Sequence, residues 1–241
     1  MKEEIFEMYK RIPIGKNEIC KECNKIVELV DPLSIYYVGK EFKSSDDTIL
    51  FVGKTAVGGD IGELIDDSFI DATKFGEESL DLKEPKSRQR AFYAYTNEII
   101  KRYYGSYEFG KSFVALSNMV KCNDESTNDK MPYQIKENCI NRLGIIWKEI
   151  EILKPKRIVF YTFIYYDDFI DQFRPIDCSN FIDIEDDEEN CWWHRRFFHE
   201  DKTVACDILR YFHPQYKGKE KYVSKVVTWL QQTKEYADHQ L

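Results

Sequence analysis

The sequence contains no long apolar run. The chain of 241 residues has no stretch of roughly eighteen apolar residues, which is the length that a membrane-spanning helix needs. Its first residues, Met-Lys-Glu-Glu-Ile-Phe-Glu, are too acidic to begin a secretory signal. Internal repeats and low-complexity linkers are lacking as well. We therefore expect a cytoplasmic globular protein, and the aromatic fraction of 15% provides for a sizeable core.

An overall excess of basic charge is also lacking. The formal net charge of −8 argues against nucleic-acid binding by the chain as a whole. The charge is unevenly distributed, however, because residues 183–189 hold six acids while residues 210–225 hold five basic residues and one acid. This pattern is compatible with a local basic face on an acidic protein, and equally with a solvated mixed surface.

The apolar pattern predicts strands that alternate with helices. Short apolar runs near residues 49, 113, 158 and 204 are typical of buried strands. Helical patterns cover residues 87–104, 133–153, 165–173 and 219–236. This alternation predicts a three-layer α/β/α sandwich around a mainly parallel four-stranded sheet. We expect residues 1–241 to form one domain, with an N-terminal Cys-x-x-Cys segment (1–45) and a long irregular insertion (174–200), first acidic and then aromatic and basic.

Four of the seven cysteines have a spacing typical of metal ligands. In a reducing compartment, cysteines indicate metal ligands or buried thiols rather than disulfides. Cys20 and Cys23 form a Cys-x-x-Cys motif, while Cys122 follows a predicted strand and Cys139 lies in the next predicted helix. Four such thiols suit either an iron–sulfur cluster or a structural zinc ion. Cys139 also lies on an apolar helix stripe, so it is alternatively a buried thiol only.

Polar residues follow the predicted strands. Asn118 stands near the end of one strand, and His213 follows another and precedes Pro214. Ligands of open α/β sheets bind where the carboxyl ends of the strands meet. The amide of Asn118 can pair with a pyrimidine edge, or it can cap backbone groups. A neutral imidazole at His213 can donate one hydrogen bond, although a surface loop histidine is the plain alternative.

Together, these motifs resemble the uracil-DNA glycosylase superfamily, most closely its iron–sulfur branch (family 4). The resemblance extends from Cys20 to about Tyr216, and its most specific part is Asn118-x-x-Lys121-Cys122 followed by a second cysteine one helical segment later. The motifs occur in the family's order: Cys20-Lys-Glu-Cys23, Ile-Leu-Phe-Val-Gly53, Leu-Ser-Asn118-Met-Val-Lys-Cys122, Glu137-Asn-Cys139, Leu-Lys-Pro-Lys-Arg-Ile-Val159 and His213-Pro214.

The resemblance implies a uracil-DNA glycosylase-like fold and a monofunctional DNA glycosylase. Such an enzyme flips a damaged or modified base out of DNA and hydrolyses its N-glycosidic bond. It implies that His213 donates to the base anion and that Asn118 and Gly53 bind the base. By its position after the first loop, Phe69 is the aromatic residue that would stack on the base, with a core phenylalanine as the alternative. The resemblance also implies a 4Fe–4S cluster rather than zinc on Cys20, Cys23, Cys122 and Cys139. We expect DNA as the partner, a monomer, and no membrane association.

The chain departs from the family at the first catalytic loop. The family has Gly-Glu-Ala-Pro-Gly there, with a carboxylate that helps to position water, whereas this chain has Gly53-Lys54-Thr-Ala-Val-Gly58. Asp60 is one replacement for the carboxylate. Alternatively, Lys54 acts as a nucleophile or phosphate contact, or the base-anion donor acts alone. The excised base is therefore either uracil or another modified pyrimidine, such as a modified cytosine of viral DNA. The alternative function is a catalytically inactive DNA-binding member of the same fold.

Basic residues near these motifs are candidates for contacts with DNA. Lys217 and Lys219 follow His213 and suit backbone phosphates, or they simply form a solvated helix start. Arg195 and Arg196 follow two tryptophans, a combination that suits stacking and phosphate contact. The same aromatic segment is equally suited to anchor the 174–200 insertion on the core.

Overall fold

The computed structural model describes residues 1–29, 37–55, 80, 91–122, 131–175, 177–187, 192–214 and 218–238. Within them, one mixed sheet of seven strands runs in the order β1-β3-β2-β4-β7-β6-β5. The strands are β1 (Tyr37–Val38), β2 (Ile49–Thr55), β3 (Val114–Val120), β4 (Arg157–Phe160), β5 (Asn180–Asp187), β6 (Trp192–Phe198) and β7 (Val204–Arg210).

The centre of the sheet is a block of four parallel strands. Strand β2 pairs in parallel with β3 on one side and with β4 on the other, and β4 pairs in parallel with β7. These are the four strands that the apolar pattern predicts, so the α/β class is confirmed. Their apolar residues are nearly continuous because both faces of a parallel block are buried.

Three further strands extend this block, so the predicted four-stranded sheet is too small. Strand β1 pairs antiparallel with β3, while β6 pairs antiparallel with β7 and β5 with β6. The prediction of an irregular insertion at 174–200 is wrong, because β5 and β6 lie within it. Strand β5 is an edge strand with Asp183, Glu185 and Asp186 exposed to solvent. Edge strands tolerate charged side chains, and those acids hide the strand pattern in the sequence.

Helices surround the sheet, and two of those predicted are shorter than expected. The predicted helix 133–153 is divided by a π-helical turn (Asn138–Arg142) and by Gly144, whose φ is +65°. The predicted helix 165–173 is a 3₁₀ turn (Phe163–Tyr166) followed by a single helical turn. The helices are α1 (Lys2–Arg11), α2 (Glu18–Asn24), α3 (Ala91–Tyr104), α4 (Tyr107–Gly110), α5 (Tyr133–Glu137), α6 (Ile145–Leu153), α7 (Asp167–Ile170) and α8 (Lys219–Asp238).

Two hydrophobic cores lie on opposite faces of the sheet. On one face Val52 and Ile158 pack with residues of α1, α2, α5 and α6. On the other face Phe51 and Val159 pack with residues of α3 and α8. The alternation of inward side chains along each strand produces this division, because successive residues point to opposite faces. In the described ranges, no helix combines the length and apolar character needed to cross a bilayer.

Candidate active site

Asn118 lies against Gly53 near the carboxyl ends of β3 and β2. The two residues are paired in the parallel register, and Asn118 is buried. A β carbon added to Gly53 would overlap Oδ1 of Asn118 and would stand 3.4 Å from Cε2 of Phe92. Only glycine therefore lets the amide lie across the backbone of β2. Phe92, from α3, closes this space on the same face of the sheet.

A buried ion pair supports the end of β3. Lys121 Nζ donates to Glu149 Oε2 at 2.8 Å, to Ser117 Oγ at 2.6 Å and to the main-chain oxygen of Asn118 at 2.7 Å. The hydroxyls of Ser117 and Tyr9 both donate to the Glu149 carboxylate. Both charged side chains are fully buried, so the opposite charge of the partner compensates each of them for the loss of water. The network fixes the backbone that carries Asn118.

His213 is a neutral imidazole beside a buried cation. It follows β7 and is half-buried. Burial, and then the positive charge of Lys54, lower the pKa of His213 to about 3. Lys54 is itself buried, and its Nζ lies 5.1 Å from the ring centroid of Tyr165. The folded chain thus brings Lys54 of β2 and His213 of the β7 loop into electrostatic contact at one edge of the sheet.

A group of aromatic side chains near Lys54 and His213 was not predicted from the sequence. The rings of Phe163 and Phe212 stack, with centroids 4.9 Å apart and an interplanar angle of 20°. The rings of Phe163 and Tyr165 are 5.2 Å apart at 67°. Phe163 follows β4 and Phe212 follows β7. Both phenylalanines come shortly after predicted parallel strands, whose carboxyl ends lie at one edge of the sheet. Their proximity could have been inferred from that position.

The four predicted thiol ligands are buried in one core cluster. Cys20, Cys23, Cys122 and Cys139 all belong to the hydrophobic core on the α2 and α6 face. The pKa of Cys139 is raised to about 12, mainly by burial and to a smaller extent by the nearby Cys20 and Cys23, while Lys121 acts in the opposite direction. These influences place three of the four thiols in one neighbourhood.

Hydrogen-bond donors point at two of these sulfur atoms. Asn138 Nδ2 donates to Cys23 Sγ at 3.2 Å, and the Lys121 N–H donates to Cys139 Sγ at 3.5 Å. Cysteine thiolates are the usual ligands of iron–sulfur clusters, and their sulfur atoms accept such bonds. However, no group of three or more His, Cys, Asp or Glu side chains in the described part of the chain is arranged to hold a metal ion.

Arg195 and Arg196 have partners within the protein. Arg196 is buried, donates to Asp207 at 2.8 Å and lies 3.7 Å from the ring centroid of Tyr236. Arg195 bonds to Asp183 at 2.7 Å and to Asp171 at 3.2 Å. These bonds tie β6 to its neighbours β5 and β7, and the expectation that the two arginines contact phosphates stays a prediction. In register Arg196 lies opposite Asp207 and Arg195 opposite Ile208, around the middle of β7 and several residues before His213.

The remaining predicted site residues lie elsewhere. Lys219 begins α8, six positions after His213, and is partly exposed. Asp60, Phe69 and Lys217 lie outside the described residues.

No protein-family model matches the chain, and no curated protein matches it either. The function proposed below therefore rests on the chain's own residues and on their arrangement.

Proposed function

We propose that this protein is a DNA glycosylase of the uracil-DNA glycosylase type, which excises uracil or another modified pyrimidine from DNA. One observation carries the proposal. The buried amide of Asn118 lies near the carboxyl end of β3 and the neutral imidazole of His213 follows β7, so both belong to the edge of one parallel block where such folds bind ligands.

The spacing of the strands suits a pyrimidine between these two groups. Strands β3 and β7 are separated by β2 and β4, so their axes are about 14 Å apart at three spacings of about 4.8 Å. A pyrimidine ring with a hydrogen bond of about 2.9 Å on either side fits such a gap once the loops turn inward. Asn118 offers a donor and an acceptor to the base edge, which discriminates between bases.

Hydrolysis of the N-glycosidic bond requires a hydrogen-bond donor to the departing base. When the bond between C1′ and the base nitrogen breaks, the electron pair departs with the base and positive charge develops on the sugar. His213, neutral at physiological pH, donates its N–H to a base carbonyl oxygen as the negative charge develops. The fixed positive charge of Lys54 stabilises the same anion. Water then adds to C1′ and releases its proton, and the departing base takes up one proton from solvent.

Lys54 also favours the second candidate function. A buried cation stands directly after Gly53, where the resembling family has a carboxylate. A positive charge opposes the sugar cation of the transition state, which favours a DNA-binding protein that excises nothing. The two functions are distinguished by the abasic site, which only a glycosylase leaves in the DNA.

We also propose that Cys20, Cys23, Cys122 and Cys139 hold a 4Fe–4S cluster, with structural zinc as the alternative. Their burial in one core and the hydrogen bonds to two of the sulfurs support the cluster. The thiols of a cluster surround several iron atoms and stand farther apart than the ligands of a single ion. The group would tie α2 to the segment after β3 and to the π-helical turn.

An excision assay tests the proposal. Oligonucleotides with uracil, with modified cytosines or with no modification are incubated with the protein, and abasic sites are detected by alkaline strand cleavage. We expect cleavage at one modified pyrimidine, and a loss of about 10²–10³ in rate for His213→Asn, as for removal of one oxyanion donor. His199→Asn, in the β6–β7 loop, is the matched control. DNA binding without product on every oligonucleotide would establish the non-catalytic candidate instead.

A further inference from the structure

Strand β5 (Asn180–Asp187) ends the sheet and is paired on one side only. Its partner is β6, and no other strand lies beside it in the described part of the chain. With eight residues it is the longest of the described strands. Edge strands are often very short, because their unpaired N–H and C=O groups attract further strands. This long edge therefore offers a row of backbone groups to which another strand can pair.

Large apolar side chains are exposed along the same edge. Ile182 is 46% exposed and Ile184 is 43% exposed. Arg196, the register partner of Ile182, lies 3.7 Å from the ring centroid of Tyr236, which is itself 41% exposed. Exposed apolar side chains that lie singly need no explanation, but neighbouring ones mark surfaces that associate with a partner.

The register gives β5 an acidic face. Asp183 and Asp186 pair with alternate residues of β6, so their side chains share one face of the sheet. Ile182 directly precedes Asp183 and lies on the opposite face. A strand that pairs with β5 thus meets carboxylates on one face and an apolar side chain on the other.

Contacts within the protein hold β5 in place. The guanidinium groups of Arg174 and Arg195 each lie 4.5 Å from the ring centroid of Phe181. Arg195 Nε also donates to Asp183 Oδ1 at 2.7 Å. These contacts order the strand before a partner arrives, so association does not have to order it.

The charges of this edge select its occupant. Asp183, Glu185 and Asp186 are exposed, and Asp186 forms no ion pair with any described residue. A second copy of the chain is a poor occupant, because pairing two β5 strands brings acids close to acids, and like charges across a strand pair are destabilising. Acids on an edge likewise discourage neutral strands. A strand with positive charges gains from the same acids.

We propose that β5 binds an extended segment of another protein in which Lys or Arg alternates with apolar residues. The segment pairs with β5 as an additional strand, its basic side chains meet Asp183 and Asp186, and its apolar side chains cover Ile182. In strand addition of this kind, the main-chain hydrogen bonds give affinity and the alternate side chains give specificity. The inference is independent of excision, since Asn118 on β3 lies five strand spacings, or about 24 Å, from β5.

The test measures the binding of short fluorescein-labelled peptides to the full chain by fluorescence anisotropy. The probe alternates Lys and Val. A peptide that alternates Lys and Pro has the same length and charge, but its prolines lack the N–H that strand pairing needs. Asp183→Asn/Asp186→Asn removes the acidic face, and the asparagine at 183 can still accept from Arg195. The matched control, Glu3→Gln/Glu28→Gln, removes two exposed acids outside β5 and leaves the same net charge.

We expect the Lys-Val peptide to bind the unmodified protein and the control equally well. The Asp183→Asn/Asp186→Asn variant should bind it about fivefold more weakly, since two cross-strand charge pairs are lost. The Lys-Pro peptide should bind none of the proteins appreciably. Hydrogen exchange should show that the Lys-Val peptide protects backbone amides of β5.

Three results would overturn the inference. Equal affinity of the two peptides would mean that charge alone attracts them, and equal affinity of the two variants would mean that the acids of β5 play no part. Sedimentation of the unmodified protein as a dimer, with the β5 amides protected in the absence of peptide, would assign the edge to a second copy.

Discussion

The amide of Asn118 occupies the space that a β carbon on Gly53 would need. The two residues are register partners on adjacent parallel strands, so the position of the amide depends on the absence of a side chain opposite. This contact explains why glycine is required near the end of this buried strand: without a side chain, it allows a polar group to approach its backbone from the next strand.

Replacing Gly53 by alanine should displace Asn118 and impair the proposed excision. The new methyl group overlaps the amide, and overpacking of this kind costs about 1–3 kcal/mol of unfolding free energy. A misplacement of about 1 Å at a reacting group lowers the rate on the order of 10²-fold. Urea denaturation and the excision rate measure the two effects. Gly218→Ala is the control, because a β carbon there meets nothing within 4 Å. Full activity of Gly53→Ala would show that the amide does not need this position.

Removing Lys121 should destabilise the fold strongly. In Lys121→Met the fully buried Glu149 carboxylate loses its cation, and breaking a buried pair in this way costs about 3–5 kcal/mol. The double variant Lys121→Met/Glu149→Leu removes both charges and should recover most of the loss. The midpoint of urea unfolding measures each variant. A double variant no more stable than Lys121→Met would contradict this account of the pair.

The neutral state of His213 should make stability fall in mild acid. Its folded pKa of about 3 lies below the ordinary value of 6.5, so between these pH values the unfolded chain binds the extra proton. The stability from His213 is therefore complete above pH 6.5 and is lost as the pH falls from 6.5 towards 3. Urea unfolding from pH 8 to pH 4 should show a smaller acid loss for His213→Asn than for the unmodified protein. Parallel curves would contradict the lowered pKa.

Removing the charge of Lys54 should raise the pKa of His213. Burial is the larger cause of the lowered value, so in Lys54→Met the pKa should rise and still remain below 6.5. Titration of the imidazole by NMR measures the change. Lys219→Met, at the start of α8, is the matched control and should leave the His213 titration where it is. The same titration in both variants would mean that Lys54 has no influence on the imidazole.

The proposed cluster should depend on four particular thiols. Single alanine variants of Cys20, Cys23, Cys122 and Cys139 should each lose iron and the visible charge-transfer absorbance of the protein purified without oxygen. Cys206→Ala should retain both, because Cys206, although buried, lies on β7. Elemental analysis distinguishes iron from zinc. An iron content that all four substitutions leave unchanged would remove the cluster from the proposal.

The sequence predicts the centre of this fold better than its edges. Strands β2, β3, β4 and β7 are buried on both faces and are therefore mostly apolar, which makes them recognisable from the sequence alone. The edge strand β5 requires only one partner and tolerates acids, so its pattern resembles that of a loop. Gly53, Asn118 and His213 could be named as candidate site residues from the sequence alone. A glycine or polar residue at the carboxyl end of a parallel strand lies at the edge of the sheet where ligands bind.

The buried ion pair and the stacking of the aromatic rings near the candidate site could not be predicted from the sequence. Lys121 is a residue type that is normally exposed, and its partner Glu149 follows 28 positions later on another element. Only the packing of α6 against β3 brings them together. Phe163 and Phe212 likewise read as ordinary core residues until the order of the strands places their loops side by side.

The π-helical turn at Asn138–Arg142 closes an i→i+5 hydrogen bond, from the Leu143 N–H to the Asn138 oxygen, and so takes up one residue more than an α-helical turn would. Deleting one residue there would restore α-helical bonding locally and displace Cys139, while the helix that carries Glu149 begins afresh after Gly144. One inserted residue thus sets the position of a sulfur separately from that of the carboxylate.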